Sequence, residues 1–119
     1  MGIERFEQLE VWQEAHRLVL QVYRTTSTMP SDQKFRLTSQ MQRAAVSIPA
    51  NIAEGFKRRS RADKVHFHNR AQGSLEELRY YFILCRDLGY KLEYDSLPGQ
   101  ADQVSRLLHG LLNSVDRRR

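Results

Sequence analysis

Lys57, Arg58, Arg59, Arg61 and Lys64 place five cations within eight residues, opposed only by Asp63. Arg117, Arg118 and Arg119 end the sequence with three more. The chemistry open to these side chains is electrostatic. Lys and Arg hold phosphate oxygens without demanding strict geometry, so both groups are candidate contacts to an RNA or DNA backbone. The first fifteen residues are acidic by contrast, with Glu4, Glu7, Glu10 and Glu14 against Arg5. The net charge of +5 is therefore unevenly placed, which points to an anionic partner for the basic parts. One such cluster is a weak footprint. A symmetric oligomer repeats it around a ring and makes it strong. A solvated basic turn is the plainer reading of the same residues.

Residues for catalysis are sparse. Of four histidines, His66 and His68 lie two apart on a helix and point to nearly opposite sides. No HEXXH or EXXH pattern and no Cys/His cluster occurs, so no metal is expected. The sequence lacks a phosphate-binding glycine loop and a dinucleotide fingerprint, so no cofactor is expected either. Glu54, Glu76 and Glu77 read as exposed helix carboxylates. The single cysteine, Cys85, lies on an apolar stripe and reads as a buried thiol. These observations predict a non-enzymatic protein. A further polar constellation is Arg43, Ser47, Asn51 and Glu54. Ser47 and Asn51 are poor helix-interior residues, and a buried or interfacial hydrogen-bond network explains them better than a solvated face does.

The elements that must position these residues read as four helices and no strands. The first runs from about Phe6 to Thr26. Leu9, Trp12, His16, Val19 and Tyr23 form one apolar row and Val11, Ala15, Leu18 and Val22 another. The second begins between Ser31 and Thr38 and ends near Gly55, which fits a left-handed C-terminal position. Met41, Ala44, Ala45, Ile48, Ile52 and Phe56 form its first apolar row, and Val46, Pro49 and Ala53 form the next. Pro49 removes a backbone donor, and Ser47 and Asn51 are placed to bond the groups it frees. Ser60 caps the third helix with Asp63 in its first turn, and Gly89 ends it near Leu88. Its main row is Val65, His68, Ala71, Leu75, Leu78, Phe82 and Cys85. Gly73 in mid-helix suggests the close approach of a neighbouring helix. The fourth helix, about Leu97 to Val115, carries the heptad-like seam Leu97, Ala101, Val104, Leu108, Leu111 and Val115. Short connections make neighbours antiparallel. The fold class is an all-α, up-down-up-down four-helix bundle in one domain, with a short basic tail at 116–119. No apolar run spans a bilayer and no secretory signal opens the chain, so a cytoplasmic location is expected.

The segment QMQRAAVSIPANIAEGFKRRS resembles the signature of the 23S rRNA intervening-sequence protein family. The likeness spans nearly the whole chain. It includes Leu9 to Ala15, Val22-Tyr23, Met29-Pro30, Ala71 to Leu78 and Leu88-Gly89-Tyr90. The resemblance implies a four-helix bundle, often encoded within insertions in bacterial large-subunit rRNA genes, with no catalytic residue to carry over. That family is similar in fold to the accessory protein of diversity-generating retroelements. By that similarity a homopentamer with a basic surface or channel is expected, binding nucleic acid and partnering a reverse transcriptase. The sequence departs from the family at Gln33-Lys34-Phe35-Arg36-Leu37, which lacks an acid and a glycine. It departs again at His68 and Arg70, where the family is usually more apolar, so packing or an interface there should differ. A protein-interaction adaptor and an enzyme with a site in an oligomeric channel are the competing functions.

Overall fold

The computed structural model of the chain describes residues 2–117. Its helices are α1 Glu10–Thr26, α2 Leu37–Lys57, α3 Arg61–Asp87 and α4 Leu97–Arg117. Short 3₁₀ turns occupy Phe6–Gln8 and Ser31–Gln33, and no strand occurs among the described residues. Both α1 and α3 pack on α2 and α4, so the four axes stand at the corners of a square. Cross-links fix the directions. Gln100 donates to the Glu14 carbonyl and Gln21 to the Ser96 hydroxyl, so α1 and α4 are antiparallel. Ser74 meets Ser47 and Tyr81 meets Gln40, so α2 and α3 are antiparallel too. The chain is an all-α four-helix bundle forming a rod of 48 × 23 × 21 Å.

The apolar rows do the packing. On α1 the row Val11, Ala15, Leu18 and Val22 is buried. The second row only reaches the edge, with Val19 buried, Trp12 half-buried and His16 and Tyr23 exposed. On α3 the row from His68 to Cys85 is buried throughout. Leu97, Ala101, Val104 and Leu108 of α4 have no exposed surface. Each fully buried leucine contributes roughly 1.5–3 kcal/mol relative to an exposed one. Leu111 and Val115 continue the α4 seam but are only partly covered. α4 extends to Arg117, into the stretch expected as a tail.

The polar groups near Pro49 differ from expectation. Asn51 Nδ2 donates to the Ser47 carbonyl (2.8 Å) and hydroxyl (2.9 Å), and the Ser74 hydroxyl lies 2.8 Å from the Ser47 hydroxyl. The carbonyl that Pro49 leaves without its usual donor belongs to Ala45. Side chains bond backward across three or four residues, so neither Ser47 nor Asn51 reaches it. The Asn51 bonds stay within α2, and the Ser74 hydroxyl on Ser47 ties α2 to α3.

Three glycines have distinct roles. Gly89 ends α3 at φ +86°, with the Gly89 N–H on the Arg86 carbonyl and the Tyr90 N–H on the Cys85 carbonyl, a left-handed cap as expected. Gly55 is not such a cap. α2 continues past it to Lys57, and a Cβ at Gly55 would lie 2.6 Å from His68 Cε1. Gly73, expected at a close approach, is exposed with nothing within 4 Å of the space its Cβ would fill. Gly73→Ala should therefore stabilise by about 0.5–1 kcal/mol through helix propensity. Gly55→Ala should destabilise by about 1–3 kcal/mol because the buried ring cannot yield. Chemical denaturation of both variants checks this, and equal responses would disprove the assignment of Gly55.

Candidate functional site

At one end of the rod α2 ends, α3 begins and α4 ends, and the basic residues meet there. The turn between α2 and α3 is only Arg58–Ser60. Its geometry is fixed by backbone and caps. The Arg58 N–H donates to the Gly55 carbonyl at 3.2 Å, and the Ser60 hydroxyl accepts from the Asp63 N–H at 3.1 Å. Lys64 lies one turn into α3, and its ammonium donates to the carbonyls of Gly55 (3.3 Å) and Phe56 (3.0 Å). It thus places positive charge on the negative end of the α2 dipole.

The cluster divides into structural and outward-facing members. Lys64 caps α2. Arg58 pairs with Glu54 at 2.8 Å and lies 4.6 Å from the Phe67 ring centroid. Lys57, Arg58, Arg59 and Arg61 are all exposed. The N–H groups at the start of α3 add positive potential beside them. Arg117 closes α4 at the same end, whereas Arg118 and Arg119 lie outside the described residues. Part of the acidic N-terminal segment also reaches this end. The Glu7 carboxyl is held below the usual carboxylate range, chiefly by its hydrogen bond with Arg5 and only slightly by Lys57.

Arg59, Arg61 and Lys64 border a cleft of about 540 Å³ with Phe56 and His68. Ile3, Leu9, Leu111 and Val115 supply its apolar lining. Sequence reasoning missed this cleft. Its one signal was the α4 seam, which keeps its spacing through Leu111 and Val115 while α1 begins only at Glu10. The other predicted group is split. Ser47 and Asn51 hydrogen-bond each other, but Arg43 is exposed on a shallow surface groove beside Tyr23 and Val46. Glu54 is exposed and pairs with Arg58.

Groups capable of proton or nucleophile chemistry are dispersed. Glu54, Glu76 and Glu77 are exposed. Burial pushes the Cys85 thiol up to about 11, and its Sγ lies 3.5 Å from Met41 Sδ. Burial and then Glu77, 2.7 Å away, push the Tyr81 hydroxyl up to about 12. Among the described residues no three His, Cys, Asp or Glu side chains are grouped to hold a metal. No helix among them is long and apolar enough to cross a membrane.

His68 departs from the apolar residue expected there and is 1% exposed, with Nδ1 lacking a hydrogen-bond partner among the described residues. Burial, with Lys64 nearby, lowers it to about 4. The unfolded chain therefore takes up this proton near pH 6.5 and the folded chain only near 4. Stability from neutral His68 is complete above pH 6.5 and is lost as pH falls toward 4, by roughly 2–3 kcal/mol. Denaturation midpoints across that window should fall more steeply for wild type than for His68→Gln. Parallel profiles would refute the buried neutral imidazole. Arg70 remains exposed, its guanidinium 6.0 Å from the Phe67 ring.

The sequence model described as 23S rRNA-intervening sequence protein matches residues 7–110. No curated protein matches the chain. Among solved structures, a protein of unknown function from the S23 ribosomal protein family of Bacteroides thetaiotaomicron aligns with a TM-score of 0.78. The two are 24% identical over 87% of this chain and 95% of that one, a likeness that carries the fold alone.

Proposed function

We propose that this chain, which belongs to the 23S rRNA-intervening sequence protein family, is a non-enzymatic, cytoplasmic protein that binds nucleic-acid backbone as a homo-oligomer. The observation that carries the reading is the gathering of exposed Lys57, Arg59 and Arg61 at one end of the rod. Arg58, Lys64 and Arg117 belong to the same end. Phosphate contact needs such donors grouped within reach of the backbone oxygens, and the capped turn presents them together. Arg118 and Arg119 follow Arg117 in the sequence.

The oligomer, a pentamer by the resemblance to the retroelement accessory protein, is supported by apolar side chains the single bundle leaves outside. On α1 and α2 these are Leu20 (53% exposed), Tyr23 (47%) and Val46 (43%). On the other side Tyr80 and Ile83 of α3 are exposed as well. Exposed apolar patches of this kind mark contact surfaces. A ring of subunits repeats each basic end and multiplies a weak footprint. The adaptor reading is favoured by a groove of about 270 Å³ between α3 and α4, where Phe82, Ile83 and Tyr94 lie beside Arg79 and Arg86. A reverse transcriptase is one protein partner consistent with that reading.

Salt titration of RNA and DNA binding tests the leading function. Affinity should fall log-linearly with salt, and Lys57→Glu/Arg59→Glu should flatten the slope. Each lost phosphate contact lowers its magnitude by about 0.9 on a duplex and about 0.7 on a single strand. Absence of binding at low salt refutes the function. A double variant that still binds its cellular partner after nuclease treatment favours the adaptor. Light scattering should give a multiple of the 14.0 kDa chain mass, and a monomer mass would refute the oligomer.

A further inference from the structure

We propose, resting on the nucleic-acid reading above, that the turn Lys34-Phe35-Arg36 is a stacking site for a single strand. It lies at the start of α2, at the end of the rod away from the basic cluster. Phe35 is 86% exposed, more than any other large apolar side chain described. Met29 and Leu37, on either side of it in the chain, pack against the core, and Phe35 does not. Its backbone is nevertheless ordered. The Lys34 N–H donates to the Ser31 carbonyl at 3.2 Å, the Arg36 N–H to the Gln33 carbonyl at 3.0 Å, and the Gln40 N–H to the Arg36 carbonyl at 3.0 Å. Lys34 and Arg36 are exposed and pair with no carboxylate among the described residues. The Lys34 ammonium stands 5.5 Å from the Phe35 ring centroid. It covers one face of the ring, and the other is open.

Magnitudes choose the ligand. One phenyl ring buries at most about 250 Å². That is well short of the roughly 1,000 Å² a specific protein interface needs. A nucleobase is a ring of matching size, and every base has a π-face. In a duplex those faces are covered by neighbouring bases, so the free faces of a single strand are the ones that fit. A stacked nucleotide has a phosphate on each side along its strand, and Lys34 and Arg36 flank the ring on each side along the chain. Asp32 is the one acid in the connection between α1 and α2, against these two cations. The start of α2 adds to them. No side chain caps the first amides of this 21-residue helix and no acid lies in its first turn, so its positive end faces the turn unopposed. In that turn of helix Thr38, 8% exposed, keeps its Oγ1 without a hydrogen-bond partner among the described residues. The basic cluster lies about 30 Å away along α2, several Debye lengths, so substitutions at one end do not reach the other.

Fluorescence anisotropy with labelled RNA tests the site on the full chain, using a single strand, its duplex and an abasic strand of equal length. Phe35→Ala should weaken single-strand binding about fivefold or more, the loss of one stacked base, and leave duplex binding unchanged. Phe35→Trp should retain or tighten it. The salt slope should stay the same in Phe35→Ala, which removes no charge. In Lys34→Glu/Arg36→Glu its magnitude should fall by about 0.7 for each lost phosphate contact. The abasic strand should bind wild type and Phe35→Ala alike. Equal single-strand affinity of wild type and Phe35→Ala overturns the stacking site while leaving the nucleic-acid function standing. A loss of the same size on duplex and single strand also overturns it. No binding of any strand at low salt refutes the function and the site together. Vesicles of phosphatidylserine and phosphatidylcholine in equal parts complete the test. Vesicle binding that depends on Phe35, with RNA binding that does not, overturns the site and makes the turn a membrane contact.

Discussion

The contact between the His68 ring and the bare backbone of Gly55 sets how α2 and α3 meet, and much else follows from it. A Cβ at Gly55 would come within 2.6 Å of the imidazole, so the two helices hold their spacing only because that atom is absent. His68 and Lys64 are four residues apart and share a face of α3. Once the ring is seated on α2, the Lys64 ammonium comes to rest on the carbonyls of Gly55 and Phe56. One close packing event therefore also caps α2, and a turn of three residues becomes sufficient. The same arrangement keeps the imidazole neutral, since burial and the nearby ammonium both oppose a second charge.

The remainder of the α2–α3 seam relies on polar links of a different kind. Ser74, Ser47 and Asn51 join the helices near Pro49, and Tyr81 joins Gln40 to Glu77 further along. The opposite end of the rod is held by loop contacts. The Thr25 hydroxyl accepts from the Glu93 N–H, and Thr28 donates to the Lys91 carbonyl. That end is closed by its connections. Among the described residues the basic end lacks an equivalent cover, because the segment before α1 only partly fills the space that Leu111 and Val115 leave open.

Periodicity carried the helices and the inner rows, since each is a local pattern with a fixed repeat, and the short connections carried the antiparallel order. The Ser60 and Gly89 caps were legible for the same reason, as each acts within a few residues. The failures share a cause. Gly55 and Gly73 look alike in sequence, and only the position of another helix distinguishes a filled space from an open one. Arg43 and Glu54 sit on the stripe of Ser47 and Asn51, but a helix face turns gradually and its edges reach solvent. The basic cluster was visible as composition, whereas its division into caps and exposed charges was not. Lys64 could be recognised as a cap only once the α2 terminus stood beside it.

That division has a functional consequence. A cation engaged with helix carbonyls or an internal carboxylate contributes potential but has little freedom to rearrange around a ligand. Lys64 is of this sort. Lys57, Arg58, Arg59 and Arg61 are exposed around it, so Lys64 acts as a fixed like charge behind them. Like charges gathered at one end of the rod repel, and an anion arriving there relieves that repulsion as well as forming its own contacts. The effect is confined to roughly a Debye length, about 8 Å at physiological ionic strength. Its range is thus shorter than the 21 Å narrow dimension of the rod. The basic end therefore acts on ligands that touch it, and its reach grows only when further copies bring their own ends alongside.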